Sequence, residues 1–445
     1  MPALLFLALT WAGEKAQGQT YIEYPKNAGN IQPLRQENVP RWLTFDMDLR
    51  ARAENQTALN LISGNGQAYE LTRVRVGLQV RPATWLTGYI QGQDTHALGL
   101  ALPYVAANMR DTFDARQAYA NFHLKPVTII AGRQPLQYGG ERLVGISNWT
   151  NNSRTWDGFL GRVGDKNRLD VFSTSVVTVH PTSLDKHGAG LNFHGVAGTI
   201  TTWVPHTTII PFVFVRSIRQ VTSQQGVVGV ENEATPGIEV DGDLPAGWDY
   251  HVLGALQRGS YSNDSIHSGA GFAKVGYTAK HLAWKPRLRA EYDYATGNTH
   301  HDVQQISTFD QLYPSNHNAF GLTDIFGFQN IREARLNLYL NPVKNLTVLV
   351  QQEWLNLATN QDGIYSGSAS VLAKPPLAGF LRSGLGREID ASGAYVFRKY
   401  LVIDAGVGHL SPDGAMVQSG HAAPQTIAYF SLNYRFTLDR KATQQ

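Results

Sequence analysis

Residues 44–54 read Thr-Phe-Asp-Met-Asp-Leu-Arg-Ala-Arg-Ala-Glu, and their chemistry alternates strictly. The odd positions from Phe45 to Ala53 are apolar, and the even positions from Asp46 to Glu54 are charged. In a β-strand successive side chains point to opposite faces, so this segment has one apolar face and one charged face. The pattern predicts a strand that separates an apolar environment from a polar one.

The same alternation returns at 72–81, 287–294 and 428–436. A soluble β-sandwich also alternates, so alternation alone leaves two architectures open. The connections favour a membrane barrel, in which short periplasmic turns alternate with long extracellular loops. Tight turns are predicted at 81–84, 124–127, 164–167, 204–207, 244–247, 341–344 and 397–400. Long loops are predicted at 55–67, 95–111, 134–152, 219–232, 298–327, 358–384 and 410–424.

This rhythm predicts an all-β fold, a transmembrane antiparallel β-barrel of about 18 strands, an even number as in single-chain bacterial barrels. The segment 186–205 is ambiguous, because it reads either as one strand after a loop or as a hairpin at Gly195 to Gly198. A single strand keeps the count even. The predicted strands are 41–55, 68–81, 84–94, 112–123, 126–133, 153–163, 167–179, 192–203, 208–218, 233–243, 247–261, 267–280, 285–297, 328–340, 344–357, 385–397, 400–409 and 425–437.

Composition and the chain ends narrow the class of protein. The 445 residues include no cysteine, which excludes disulfides, thiolate metal sites and a cysteine nucleophile, and the net charge of +3 is too small to indicate nucleic acid. An apolar run followed by small and polar residues predicts a signal peptide at 1–18, although the usual basic start is missing. We expect an N-terminal periplasmic segment at 19–40, the barrel at 41–437 and a C-terminal tail at 438–445. No other stretch is apolar for the roughly 18 residues of a spanning helix.

A barrel of 16 to 18 strands encloses an aqueous channel, and its charged faces must line that channel. On lipid, each arginine would cost about 2–4 kcal/mol at the membrane centre. A polyanion that crosses a pore needs basic groups that bind it and still release it. Alternation places four arginines on adjacent strands as such a ladder: Arg50, Arg52, Arg73 and Arg75. Equally, these arginines pair with Asp46, Asp48 and Glu54 and only stiffen the wall. By parity alone, Arg287, Arg289 and Arg335 also face the lumen.

Two blocks of sequence resemble a known family. Residues 131–145 read Ala-Gly-Arg-Gln-Pro-Leu-Gln-Tyr-Gly-Gly-Glu-Arg-Leu-Val-Gly, and 151–159 read Asn-Asn-Ser-Arg-Thr-Trp-Asp-Gly-Phe. They resemble the strand end, loop and Asn-x-x-Arg-x-Phe/Trp-Asp-Gly element of the alginate export family, and the resemblance extends over roughly 41–437. It implies an 18-stranded outer-membrane barrel whose arginine-rich constriction lets an anionic uronate polymer leave the cell. The matching positions are Arg50, Arg52, Arg73, Arg75, Arg133 and Arg154, with Glu141 and Asp157 as acidic counterparts.

The sequence therefore predicts a bacterial outer-membrane channel for an anionic polysaccharide or its oligomers, with no cofactor, no metal and no catalytic site. The expected partners are the polysaccharide, outer-membrane lipid and periplasmic export components, around a monomeric barrel that binds no nucleic acid. One alternative is a general or small-anion porin without polymer specificity. Another is an outer-membrane lipid-modifying enzyme, which needs serine, histidine and an orienting group together. No histidine beside a strand serine indicates one in the sequence.

Two further groups of residues carry weaker predictions. His300, His301, Asp302 and His317 fall in the longest predicted loop, where a solvated loop is favoured over a cation site. Most tryptophans fall at predicted strand ends, where aromatic girdles anchor barrels in the membrane. Trp149 and Trp156 lie in or beside the loop 134–152 and are the candidates for contact with a sugar.

Overall fold

The computed structural model describes residues 34–36, 39–299, 304–398 and 400–440. Eighteen antiparallel strands form one closed barrel, because the first strand pairs with the last as well as with the second. The predicted fold class is confirmed. The strands are Leu43–Gln56 (β1), Gln67–Ala83 (β2), Leu86–Leu98 (β3), Asp111–Leu124 (β4), Val127–Gln134 (β5), Trp156–Gly164 (β6), Arg168–Thr178 (β7), Lys186–Thr199 (β8), Thr207–Thr222 (β9), Val228–Asp243 (β10), Trp248–Tyr261 (β11), Asp264–Thr278 (β12), Arg287–Ala295 (β13), Ile331–Leu340 (β14), Leu346–Leu357 (β15), Gly384–Phe397 (β16), Leu401–Pro412 (β17) and Gln425–Arg440 (β18).

Alternation sets the two faces of the wall. On β2 the apolar side chains of Val74 and Val76 are exposed on the outside of the barrel, while Arg73 and Arg75 between them are buried on the inside. Outward apolar side chains are what a barrel in lipid requires. β8 is a single strand, so the hairpin reading of 186–205 is wrong. The predicted long loop at 219–232 shrinks to 223–227, because β9 and β10 extend towards each other.

The two ends of the barrel differ in their connections. One end, which we call the short-turn end, carries the connections 84–85, 125–126, 165–167, 200–206, 244–247, 279–286, 341–345 and 398–400. The other end, which we call the long-loop end, carries 57–66, 99–110, 135–155, 179–185, 223–227, 262–263, 296–330, 358–383 and 413–424, the last with the helix Gly414–Gln418 (α1). Five exposed tryptophans lie at the short-turn end: Trp42, Trp85, Trp203, Trp248 and Trp284.

Three connections of the long-loop end fold into the barrel. We call 135–155 the first inner loop, 296–330 the second and 358–383 the third. Their apolar side chains, such as Leu143, Phe320 and Phe380, join inward side chains of the strands, such as Phe193 and Phe272, in one buried cluster. The lumen therefore contains a packed core between the loops and the wall, a feature that strand alternation does not predict.

Several predictions fall outside the described residues. These are the signal peptide at 1–18, most of the segment 19–40, and the loop residues His300, His301 and Asp302. Of the tail predicted at 438–445, residues 438–440 belong to β18 and 441–445 are not described. No helix in the described part of the chain is long and apolar enough to cross a membrane.

Candidate functional site

Arg50 and Arg73 lie directly opposite each other on β1 and β2, and both hold the first inner loop. Arg50 donates to the carbonyl oxygens of Asn148 (2.9 Å) and Thr150 (3.0 Å) and to Oδ1 of Asn151 (3.0 Å). Arg73 donates to Oδ1 of Asn148 at 3.1 Å. Two like charges are thus brought together on the wall, and neutral oxygens of a loop lie between them.

Arg75, two residues beyond Arg73 on β2, also donates to the first inner loop. Its guanidinium donates to Oδ1 of Asn148 (2.9 Å), the carbonyl oxygen of Asn152 (2.9 Å) and the hydroxyl of Ser153 (2.7 Å). Nε donates to Gln93 on β3 at 2.7 Å. None of these partners is charged. We call the set Arg50, Arg52, Arg73 and Arg75 the basic wall.

Arg52 combines an ion pair with a stack. It pairs with Glu54 at 2.6 Å, donates to the carbonyl oxygen of Trp149 at 2.7 Å and lies 3.6 Å above the Trp149 ring. The imidazole of His317 also stacks on Trp149, with ring centroids 3.6 Å apart and planes 7° apart. Two groups this close to one ring occupy its opposite faces, so Trp149 is enclosed between a guanidinium and an imidazole.

Carboxylates on the basic wall are fewer than its arginines. Asp48 pairs with Arg73 at 3.0 Å and with Arg435 on β18 at 2.8 Å, and Glu54 pairs with Arg52. Asp46 accepts hydrogen bonds from Tyr89. The expected ion pairs therefore form with Asp48 and Glu54, whereas Asp46 bonds to Tyr89 instead. Some ion pairs stiffen the wall, but most partners are oxygens of the first inner loop.

A second wall, formed by β13 to β16, is rich in buried carboxylates. We call it the acidic wall: Glu291, Asp293, Glu333, Glu353, Glu388 and Asp390. Arg335 lies within it, 2.6 Å from Glu333 and 3.0 Å from Glu353. Arg335 thus faces the lumen as its parity predicts, but carboxylates surround it. The acidic wall was missed, although Glu333, Glu353 and Glu388 follow the same alternation as the arginines of β1 and β2.

The first inner loop spans the lumen between the two walls. Its Arg142 pairs with Glu291 and Asp293 of the acidic wall, the latter at 2.9 Å. The Arg142 guanidinium also lies 4.9 Å from the ring of Phe320 in the second inner loop. Six residues later, Asn148 begins the contacts with the basic wall. The loop presents a cation to the acidic wall and carbonyl oxygens to the basic wall.

The second inner loop is locked to the first. Backbone hydrogen bonds join Gly145 N to Tyr313 O and Tyr313 N to Leu143 O, each at 2.8 Å. Arg154 donates to the carbonyl oxygens of Gly145 (2.8 Å) and Tyr313 (2.7 Å). Burial lowers the pKa of Arg154 to about 10, so the group remains a cation at neutral pH. Arg154 therefore fastens the two loops together.

The second inner loop also matches the charges of the wall. Its Asp310 makes a two-point contact with Arg216 on β9, at 2.6 and 2.8 Å. Its Thr323 donates from the backbone N–H (2.8 Å) and from the hydroxyl to Glu388.

Burial lowers the pKa of His317 in this loop, against the opposing effect of Asp324 at 3.7 Å.

The remaining residues from the sequence prediction lie in three places. Arg287 pairs with Asp249 at 2.6 Å near the short-turn end, and Arg289 faces the lumen beside Tyr339. Glu141 is a half-buried residue of the first inner loop and accepts from Gln137 at 2.7 Å.

Arg133 and Asp157 were expected in the lumen, but the structure places them on the outer side of the wall. They pair with each other at 2.8 Å across β5 and β6. They share the parity of the exposed Ile129 and Phe159, with no register shift between them. β5 has apolar side chains on both of its faces, so alternation could not identify its inner face.

One pair bears on the enzyme alternative. His194 Nδ1 lies 2.9 Å from the hydroxyl of Ser173, a contact that the sequence does not reveal because the two residues meet across β7 and β8. Within the described part of the chain, no carboxylate or amide bonds to the other ring nitrogen. A nucleophilic serine needs its histidine oriented by such a third group. The Ser173–His194 pair therefore lacks the orienting group that such a serine requires, within the described part of the chain.

Solved structures of a similar fold include outer-membrane porins. Pseudomonas aeruginosa OccK9 (OpdG) has a TM-score of 0.63 at 12% identity, with 89% of this chain and 98% of that chain covered. Acinetobacter baumannii OccAB2 gives 0.61 at 10% identity, with 89% and 98% covered. Pseudomonas aeruginosa OpdK with vanillate gives 0.60 at 12% identity over the same shares. At these identities the likeness is one of fold.

Comparison with curated proteins finds no match to this chain. The family model described as Alginate export matches residues 41–429, which is most of the chain and includes both walls and all three inner loops. The expected family and the expected location in the outer membrane are thereby confirmed. The chain is an outer-membrane β-barrel channel that belongs to the Alginate export family.

Proposed function

We propose that the channel conducts an anionic polysaccharide or its oligomers, and that uronate carboxylates bind the basic wall in place of the first inner loop. One observation carries this proposal: Arg73 and Arg75 share the amide oxygen of Asn148, a neutral acceptor supplied by a loop. Arg73 also pairs with Asp48, but every partner of Arg75 is neutral, so the Arg75 guanidinium retains its charge for an incoming anion. Arg133 and Asp157 have no part in this binding, because they lie on the outer side of the wall.

The chemistry favours exchange of the loop for a carboxylate. A charge-assisted hydrogen bond is roughly twice as strong as a neutral one, and the planar guanidinium binds both oxygens of a carboxylate at once. Successive uronate units place carboxylates at intervals along a polymer, as the basic wall places guanidinium groups along β1 and β2. Release follows when the loop oxygens return to the arginines, which meets the requirement that a conducting site must not bind too tightly.

The proposal extends to the surroundings of the channel. Outer-membrane lipid covers the apolar outer face, and the short-turn end lies in the periplasm, as in other barrels of this type. Periplasmic export components would then meet the polymer at the short-turn end. The lumen, both walls and all three inner loops come from one chain, so a monomer is sufficient for conduction.

A second candidate function is conduction of small anions without polymer specificity. The structure of OpdK with vanillate favours it, since that barrel of the same fold is recorded with a small carboxylate. The carboxylate of a small anion can bind one guanidinium of the basic wall as well as a carboxylate of a polymer can. The two functions differ in whether binding strengthens with the length of the oligomer.

Conductance of the purified channel in planar bilayers tests both functions. Under the polymer proposal, uronate oligomers block the current, and the block strengthens from the monomer to longer chains. Replacement of both Arg73→Ala and Arg75→Ala should weaken this block at least tenfold, which corresponds to about 1.4 kcal/mol. Arg332→Ala is the matched control, because Arg332 is exposed on the long-loop side of β14 and donates to Ser383 at 3.1 Å.

The outcomes separate the candidates. Equal block by monomer and oligomers would favour the small-anion channel. A cation-selective channel that uronates do not block would contradict both anion functions and leave the barrel intact. Heat-dependent mobility on gels confirms that each variant is folded before its current is interpreted.

A further inference from the structure

Three carboxylates meet where β4 begins, at the long-loop end. One carboxylate oxygen from each of Asp111, Asp114 and Asp185 lies within 4.8 Å of the other two. Asp111 and Asp114 belong to β4, and Asp185 ends the connection 179–185 that leads into β8. Asp111 is 1% exposed and Asp114 is 2% exposed, whereas Asp185 is half-buried. Three carboxylates this close repel one another when they are ionised, and a bound cation is one way to relieve that repulsion.

The basic side chains around these carboxylates are too few. Arg133 pairs with Asp114 at 3.2 Å, but it also makes a two-point contact with Asp157 at 2.8 and 3.2 Å. Within the described part of the chain, no basic side chain pairs with Asp111 or Asp185. The Arg133 guanidinium is therefore shared between Asp114 and Asp157, and neither Asp111 nor Asp185 has a side-chain ion pair within the described part of the chain.

Asp111 also has a buried oxygen that lacks a partner. Its Oδ2 accepts from the amide of Gln93 at 3.1 Å. Its Oδ1 is buried and has no hydrogen-bond partner among the described residues. A buried carboxylate oxygen without a partner is costly, so native structures satisfy such atoms with a donor, a water or an ion. The unpartnered Oδ1 belongs to the same Asp111 carboxylate that lies beside Asp114 and Asp185.

We propose that Asp111, Asp114 and Asp185 bind a divalent cation, and that Ca²⁺ fits best. All three ligands are carboxylate oxygens, which hard cations prefer, whereas zinc sites normally include nitrogen or sulfur. Ca²⁺ accepts six to eight oxygens in flexible geometry, so waters reached from the half-buried Asp185 complete its coordination. The ion joins the connection 179–185 to the start of β4.

Calorimetric titration of CaCl₂ into the folded full-length channel, stripped with a chelator and held in detergent micelles, tests the site. We expect one saturable site per chain. Asp111→Asn together with Asp185→Asn should weaken binding at least tenfold, because two of three charged ligands become neutral. Asp165→Asn is the matched control, since Asp165 is exposed in a turn at the opposite end of the barrel, and it should bind Ca²⁺ as the wild type does.

Folding is checked separately so that a misfolded variant does not obscure the result. Heat-dependent mobility on gels reports the barrel, and Asp185→Asn alone provides a milder change in a connection rather than a strand. Absence of saturable Ca²⁺ binding to the wild type would overturn the proposal. So would unchanged binding to a folded variant that lacks the Asp111 and Asp185 carboxylates.

Discussion

The basic wall and the acidic wall differ in the partners of their charged groups. The arginines of the basic wall donate mostly to carbonyl and amide oxygens of the first inner loop. In the acidic wall, Glu333 and Glu353 form ion pairs with Arg335. A buried ion pair is costly to break, because removal of one partner leaves an uncompensated charge. A hydrogen bond to a neutral oxygen can be exchanged for another acceptor. The first inner loop is joined to the acidic wall by the ion pairs of Arg142 with Glu291 and Asp293, so under the proposed function this loop would leave the basic wall more easily than the acidic wall.

The largest expected effect comes from breaking the acidic wall. Arg335→Met leaves Glu333 and Glu353 without their nearest cation, and the free energy of unfolding should fall by about 3–5 kcal/mol. Urea unfolding of the channel in lipid vesicles measures this loss. Arg332→Met, on the same strand but exposed, should change stability by less than about 0.5 kcal/mol. Equal stability of the two variants would show that the acidic wall is not held by Arg335.

A smaller effect is expected when the loop is released from the basic wall without altering an arginine. Asn148→Ala removes the oxygen shared by Arg73 and Arg75, and hydrogen bonds to charged groups each contribute about 1.5–3 kcal/mol. The open fraction of the channel in bilayers should rise several-fold, and uronate block should strengthen because the arginines are free. Asn263→Ala, in the exposed turn 262–263, is the control. Weaker block in the Asn148 variant would mean that the loop oxygens help to bind the anion.

The smallest expected effect depends on pH. Burial lowers the pKa of His317, so the docked second inner loop is stable above the ordinary histidine pKa of about 6.5 and loses stability as the pH falls below it. The open fraction should therefore rise modestly between pH 7.5 and pH 5. His317→Phe keeps an aromatic ring on Trp149 but cannot titrate, and its current should not respond. The same response in both proteins would assign the pH effect to another group.

The sequence predicts the wall of the barrel well because its signal is local. Alternation at 44–54 and 72–81 identified two strands and their charged faces, and both sets of arginines lie inside the barrel. The prediction that Arg133 and Asp157 share that lumen is wrong, since β5 is apolar on both faces. Where the inner loops cover the wall, an apolar inward face is as stable as a polar one. Alternation there no longer shows which face of a strand points into the lumen.

The partners of the predicted arginines could not be read from the sequence. Arg50 and Asn148 are 98 residues apart, and their contact depends on how the first inner loop folds inside a closed wall. Arg142 gives no local sign that it crosses the lumen to Glu291. The acidic wall did carry a signal, in the alternating carboxylates of β13 to β16, and it is visible once those four strands are placed side by side.

The exposed tryptophans are concentrated at one end of the barrel, which they anchor in the membrane. Five exposed indole rings lie at the short-turn end, while Trp354, half-buried on β15, is the outward tryptophan nearest the other end among the described residues. Indole rings prefer the headgroup layer, so the short-turn end keeps a constant depth in its leaflet. A thicker or thinner bilayer must then be accommodated at the long-loop end. A change in lipid composition would thus shift the long-loop end, which carries the inner loops, and leave the short-turn end in place.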